Sequence, residues 1–194
     1  KPLVQWTYDA VLGSILIDHV VLSSEDTEIL ATCPNWVHPH KRPDELAQDT
    51  TPTTQVIADV LRSYEADVIV LLQPTSPIRT GNQIDEAIKL LEDDDLDSVL
   101  SVVPCHTFLW YGESPHLTAS YNYKQRLRRQ DLPPQYEENG SIYVCSRWQW
   151  DHYQNHVGGR IGLYVMPEAS RIQIDSPLDL FLVDALLRNQ ERQQ

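Results

Sequence analysis

A chain of 194 residues with 41% hydrophobic content carries enough apolar mass for one packed domain and is excluded from the disordered class. Its formal charge of −13, from 28 acidic against 15 basic residues, argues against nucleic acid and anionic membranes as partners. No apolar run approaches the roughly 20 residues needed to cross a bilayer, and Lys1-Pro2-Leu3-Val4 reads as the start of an amphipathic segment rather than a secretory leader.

Residues 2–13 read as a helix, with Leu3, Trp6, Ala10 and Val11 in one apolar stripe and Gly13 closing it. A strand is expected over 17–24, ending in Ser23 and Ser24, followed by a short helix at 26–32, a short strand at 36–38 and a turn at 42–46. Val56, Ile57, Val60, Leu61 and Tyr64 recur at helical spacing and predict a helix over 53–65. Val68-Ile69-Val70-Leu71-Leu72 is a continuous aliphatic run, the mark of a parallel strand buried on both faces. It stops at Gln73-Pro74-Thr75-Ser76-Pro77-Ile78-Arg79, where two prolines prevent the strand from continuing. A helix at 81–93 and a strand at 98–103 follow. This βαβα alternation predicts an α/β domain with a parallel sheet covered on both faces.

From 104 to 140 the pattern changes to aromatic, Pro, Gly and basic residues with no long helix, an excursion from the sheet whose Phe108, Leu109, Trp110 and Tyr111 invite a partner surface. Core strands resume at 141–145 and 161–166, and a last helix begins near Ser176-Pro177 and runs through Leu187. Cys33, Cys105 and Cys145 lie far apart, which suits neither a disulfide framework nor a metal knuckle and leads us to expect a reducing, cytoplasmic compartment.

Three polar clusters hold candidate chemistry. Gln73, Thr75, Ser76 and Arg79 follow the carboxyl end of a central strand, where open α/β sheets bind ligands; alternatively they satisfy one another in a capped turn. Arg128 and Arg129 offer bidentate recognition of carboxylate or phosphate, and Asn139-Gly140 is a turn feeding a strand. Gln173 and Asp175 share one side of an extended segment and would suit Mg²⁺ beside a phosphate, unless Asp175 simply caps the helix starting at 177. His38 and His40 lack a third zinc ligand nearby. No Ser/His/Asp order, HExxH, CxxC or GxGxxG is present.

Taken in order, Lys1-Pro2-Leu3, Val21 to Asp26, Arg42 to Thr50, Leu72 to Arg79, Arg129 to Pro133, Asn139 to Tyr143 and Ile174-Asp175-Ser176 resemble the acylneuraminate cytidylyltransferases, the CMP-sialic acid synthetases. The resemblance implies a Rossmann-like nucleotide-diphospho-sugar transferase fold, one domain over 1–194, with 104–140 as a protruding element that dimerises and helps form the sugar site. It implies attack of a nonulosonic acid's anomeric hydroxyl on the α-phosphate of CTP, with Mg²⁺ as cofactor and a homodimer as assembly. Ser23 and Ser24 would contact the nucleotide, Gln73, Tyr143 and Arg129 the sugar, and Arg129 and Asp175 would be catalytic. Asp175 would hold the metal with Gln173, which stands where the family usually has Asp. Family members also carry a strand and a Gly/Arg/Lys loop ahead of the equivalent of Lys1, so the chain is expected to be a fragment of low activity. A non-catalytic, dimerising or sugar-binding remnant of the fold is the alternative.

Overall fold

The structure, a computed structural model, describes residues 1–191. Helix α1 spans Leu3–Leu12, strand β1 Val20–Ser24, helix α2 Thr27–Leu30, strand β2 Val37–Lys41 and helix α3 Thr53–Val60. Strand β3 (Val68–Leu72), helix α4 (Gly81–Asp93) and strand β4 (Ser98–Pro104) form the centre. The excursion carries the two-residue strands β5 (Trp110–Tyr111) and β6 (Thr118–Ala119). Strand β7 (Tyr136–Ser146), helix α5 (Arg147–Tyr153), strand β8 (Ile161–Val165) and helix α6 (Pro177–Glu191) complete the chain.

The expected α/β layering is present. One sheet runs β3-β7-β4-β8, and β1 and β2 form a separate parallel pair. The β4–β8 pair is parallel as anticipated, while β7 runs antiparallel to both its neighbours. That reversal has a topological cause: β7 follows the excursion rather than a crossover helix, so the chain re-enters the sheet from the opposite end.

Alternation along the strands divides the core between two faces. Val99, Val103, Ile142 and Val144 pack under α4 and α1. Cys145 packs on the other face with Ile57 of α3 and Trp150 of α5. Burial pushes the Cys145 thiol up to about 12, so it behaves as a small apolar side chain.

Helix α4 matches its expected span because a capping box holds its start: Thr80 Oγ1 accepts from the Gln83 amide, and the Gln83 side chain accepts from the Thr80 amide. Helix α1 docks on that start, where the Gly81 Cα meets the backbone of Gly13 and Ser14 closely enough to exclude a side chain. Asp85 then receives bonds from Ser14 Oγ (2.5 Å) and the amides of Ile15 (3.0 Å) and Leu16 (3.2 Å). Burial opposes ionisation there, but these donors outweigh it and hold the carboxyl below its usual range.

Four expectations are corrected. Helix α3 ends at Val60 rather than 65, with Leu61 as its cap. The second strand extends through Lys41, placing Pro39 inside it, which is tolerated because β2 is an edge strand. Strand β7 begins at Tyr136 and takes five residues from the excursion, since Tyr136, Glu137 and Glu138 pair with Pro104, Val103 and Val102. Strand β3 is half-buried along its whole length rather than enclosed, because among the described residues it pairs with β7 alone and its other edge has no strand beside it.

Candidate active site

The turn after β3, the middle of β7 and the segment before α6 meet around Gly140. Between Leu100↔Tyr143 and Val102↔Glu138, β7 uses three more residues than β4, a bulge centred on Asn139 and Gly140. Asn139 is fully buried and stabilises it. Its Oδ1 accepts from Ser101 Oγ (2.6 Å) and the Ser141 amide (3.3 Å), while its Nδ2 donates to Ser170 Oγ (3.0 Å). Gly140 takes the left-handed conformation the bulge requires, at φ +63°. What reads in sequence as a turn feeding a strand is thus a kink within one.

The turn after β3 is fastened to this bulge. Ser76 Oγ donates to the Asn139 carbonyl at 2.9 Å. Arg79 Nη1 donates to the carbonyls of Gln73 (3.0 Å), Ser76 (2.8 Å) and Ser141 (2.8 Å), and its Nη2 to Thr7 Oγ1 (2.7 Å). Arg79 is only 7% exposed. Burial lowers its pKa to about 10, which leaves it charged at neutral pH. Arg79 and Ser76 therefore build the turn rather than face a ligand, in line with the self-satisfied alternative for those two residues.

The Ile174 amide donates to the Thr75 carbonyl at 2.9 Å, drawing the third segment alongside. Ile172 and Ile174 pack toward Ile78, Val183 and Leu187, so the intervening Gln173 projects the other way. A side chain at Gly140 would strike Gln173 Oε1 and lie 2.8 Å from Gln73 Oε1. Gln73 and Gln173, one hundred positions apart, thus present their amides over the same glycine.

Asp175 does not cap α6. Ser176 Oγ accepts from the Asp179 amide (3.3 Å) and donates to the Asp179 carboxylate (2.7 Å), which also receives the Asp175 amide. The Asp175 carboxylate is exposed, and among the described residues it has no side-chain partner. Ser24 Oγ accepts from the Asp26 amide (3.1 Å), a local turn bond. Ser23 Oγ, also at the carboxyl end of β1, is buried and among the described residues has no hydrogen-bond partner.

Tyr143 lies on the sheet face with Leu100 and Val102, its hydroxyl donating to Glu138 at 3.1 Å. Burial, reinforced by Glu138, pushes the phenol up to about 12 and keeps it protonated. Arg129 is exposed and lines a cavity of about 500 Å³ with His106, Phe108 and Arg126, all from the excursion. Its neighbour Arg128 is engaged bidentately by Asp131 at 2.6 and 3.1 Å. Glu137 is neutralised by an ion pair with Arg171.

Sequence reasoning passes over His156. Its ring stacks edge-on against Tyr143 with centroids 5.0 Å apart, and among the described residues its buried Nδ1 has no partner. No periodicity marks it, since it lies in the loop between α5 and β8. Burial lowers its pKa, and Glu138 only partly opposes this. A folded-state pKa below the unfolded value of about 6.5 means the unfolded chain binds the proton first, so this residue's contribution to stability falls as pH drops below about 6.5. Urea unfolding of His156→Gln is expected to show a shallower loss of stability from pH 7.5 to 5.5 than the parent chain; equal slopes would refute the coupling.

The α/β layering and the polar turn at the carboxyl end of β3 are features of an open α/β domain, the class in which ligands bind at strand ends. Among solved structures, the chain is similar to a CMP:2-keto-3-deoxy-manno-octonic acid synthetase complexed with CTP, at TM-score 0.67 and 16% identity, covering 98% of this chain and 89% of that one. A 4-diphosphocytidyl-2C-methyl-D-erythritol synthase matches at TM-score 0.68 and 15% identity, covering 96% and 90%. The profile of the Cytidylyltransferase family matches residues 1–188, and the chain belongs to that family. Curated relatives include N-acylneuraminate cytidylyltransferase B of Danio rerio, 33% identical over 92% of this chain and 43% of its own length. Another is the N-acylneuraminate cytidylyltransferase of Escherichia coli O18:K1:H7, 28% identical over 100% and 48%. The chain spans less than half the length of these relatives.

Proposed function

We propose that the chain is the catalytic cytidylyltransferase unit that activates an acylneuraminate-type nonulosonic acid with CTP, giving the CMP-sugar and pyrophosphate. The observation that carries this reading is the convergence of Gln73, Gly140 and Gln173 at the carboxyl end of β3, supported by the names of the relatives. In such a transfer the sugar's anomeric oxygen bonds to the α-phosphorus as the bond to pyrophosphate breaks, and the protein contributes mainly position and charge.

In this assignment the two glutamine amides orient sugar hydroxyl and acyl groups, and the unpartnered Ser23 hydroxyl meets the nucleotide, with Ser24 shaping the strand end beside it. Arg129 neutralises the sugar carboxylate or a phosphate. Tyr143, kept protonated, offers a fixed hydroxyl dipole. Mg²⁺ fits the donors available: the Asp175 carboxylate and the Gln173 amide oxygen are hard ligands, too few to enclose a cation, as suits an ion that keeps water and phosphate oxygens. When bound it would neutralise charge on the triphosphate. Among the described residues no group of three or more His, Cys, Asp or Glu side chains forms a metal centre.

The exposed Trp110, Tyr111 and Leu117 of the excursion favour a homodimer in which this element reaches a second copy. Among the described residues no helix is long and apolar enough to cross a membrane.

Titration with CTP and N-acetylneuraminic acid in the presence of Mg²⁺, with pyrophosphate release followed in parallel, tests the assignment. Release that requires both substrates supports it; binding of neither ligand sinks it and favours the non-catalytic remnant. Arg129→Ala is expected to weaken binding of the sugar or nucleotide by about 1–3 kcal/mol, the scale of a lost charge-assisted hydrogen bond, with unchanged thermal unfolding. Unaltered affinity for both ligands would remove Arg129 from the site.

A further inference from the structure

The segment that brings Gln173 to the site also touches the base of the excursion. It begins with a single 3-10 turn at Glu168–Arg171, which Ile172 leaves in extended conformation. Ser170, 3% exposed, ties that turn to the bulge: its Oγ accepts from Asn139 Nδ2 (3.0 Å) and donates to the Pro167 carbonyl (2.7 Å). Further on, Gln173 lies over Gly140, and the Ile174 amide reaches the Thr75 carbonyl at 2.9 Å. Between these two anchors Arg171 turns outward. Its Nη2 donates to the Pro104 carbonyl at 2.5 Å, its Nη1 donates to the Glu137 carboxylate, and Glu168 Oε1 lies 3.7 Å from Nη2.

Those partners belong to the two strands of one stem. Pro104 ends β4, where the excursion leaves the sheet, and Glu137 is the second residue of β7, where it returns. The strands are still paired there, through Val103↔Glu137 and Pro104↔Tyr136, and the Cys105 amide closes the stem on the Gln135 carbonyl at 2.9 Å. A guanidinium is a planar fork whose donors have fixed directions. One nitrogen on each strand of the stem therefore sets the angle of the stem against the turn. Beyond the stem, β5 and β6 pair with each other and not with the sheet, so the tilt of the stem decides where the excursion carries Arg129. Global stability is not what these contacts supply. The Arg171 and Glu137 side chains are 28% and 48% exposed, and exposed ion pairs contribute little to it. What they restrict is direction.

We propose that Arg171 is a positioning residue for the sugar-transfer step: it locks the stem of the excursion to the segment bearing Gln173 and Asp175, and so holds Arg129 in a fixed relation to the body of the domain. The substrate in this proposal rests on the cytidylyltransferase reading; the coupling rests on the stem contacts alone.

Arg171→Gln and Arg171→Lys in the full chain are compared with the parent by amide hydrogen exchange, thermal unfolding and steady-state kinetics with CTP, Mg²⁺ and N-acetylneuraminic acid. In Arg171→Gln the Cys105 and Ile174 amides, on opposite sides of the arginine, should exchange about tenfold faster through local opening. The amides of α4 and the melting temperature should stay as in the parent. With the sugar varied, kcat/KM should fall about tenfold, with more of the loss in kcat than in KM, as for groups misplaced at the reacting centre. Arg171→Lys keeps the charge without the fork; it should melt as the parent does and recover only part of the exchange protection and of kcat/KM. Faster exchange at Cys105 alone would make Arg171 a staple of the stem and overturn the proposal. So would unchanged exchange at both amides, faster exchange in α4 with a lowered melting temperature, full recovery with lysine, or an unaltered kcat/KM for the sugar. A parent chain that releases no pyrophosphate would sink the cytidylyltransferase reading instead, and exchange at Cys105 and Ile174 would still decide the coupling.

Discussion

Arg79→Met is expected to unfold at lower denaturant than the parent chain, with a stability loss of about 2–4 kcal/mol, set by several buried carbonyls losing their donor at once. The carbonyls of Gln73, Ser76 and Ser141 all receive Nη1, and Thr7 receives Nη2, so one side chain joins α1, the turn after β3 and the bulge of β7. The apolar gain of methionine offsets part of this, since burying the guanidinium is itself costly, as its lowered pKa of about 10 reflects. For a chain of this size the loss corresponds to a fall in melting temperature of roughly 5–15 °C. Arg79→Lys, which keeps the charge but reaches fewer carbonyls, should fall between the two. Calorimetry of the three proteins checks the order; a methionine variant as stable as the parent would show that the carbonyls find other donors.

Gly140→Ala is expected to cost more in function than in stability. The left-handed backbone at φ +63° penalises a Cβ, by about 1–2 kcal/mol. The added carbon also strikes Gln173 Oε1 and approaches Gln73 Oε1 to 2.8 Å, so both amides must swing away. A displacement of about 1 Å at a positioning group is worth on the order of 100-fold in rate. Sugar affinity and kcat/KM should therefore drop by at least tenfold, beyond what the stability change explains. Adding Gln173→Ala to Gly140→Ala removes the worst clash and should restore part of the stability without restoring turnover. Gly13→Ala is the control, its nearest non-neighbouring atom being 3.4 Å from the added carbon, and should leave sugar affinity and turnover unaltered. If Gly140→Ala binds sugar as the parent does, the glycine-centred site is wrong.

Most elements were legible from residue order. Helix α4 stands out because its apolar period lies between a Thr80/Gln83 cap and an acidic end, all local features. The aliphatic run of β3 and the proline stop after it are equally local. The family resemblance, carried by short motifs spread along the chain, agrees with the profile match over residues 1–188.

Long-range geometry was not legible. Nothing local distinguishes Arg79, whose guanidinium turns inward, from Arg129, which stays exposed, because the difference lies in carbonyls supplied by positions as distant as Ser141. The Asn139-Gly140 pair reads as a turn in any short window; only the register against β4, three residues out of step, makes it a bulge. The meeting of Gln73 with Gln173 likewise depends on which strands become neighbours. Side-chain pattern and turn chemistry are properties of a few adjacent residues, and they specified the elements and the family. Pairing partners and buried donors arise from contacts across tens to a hundred positions, and folding alone assigned them.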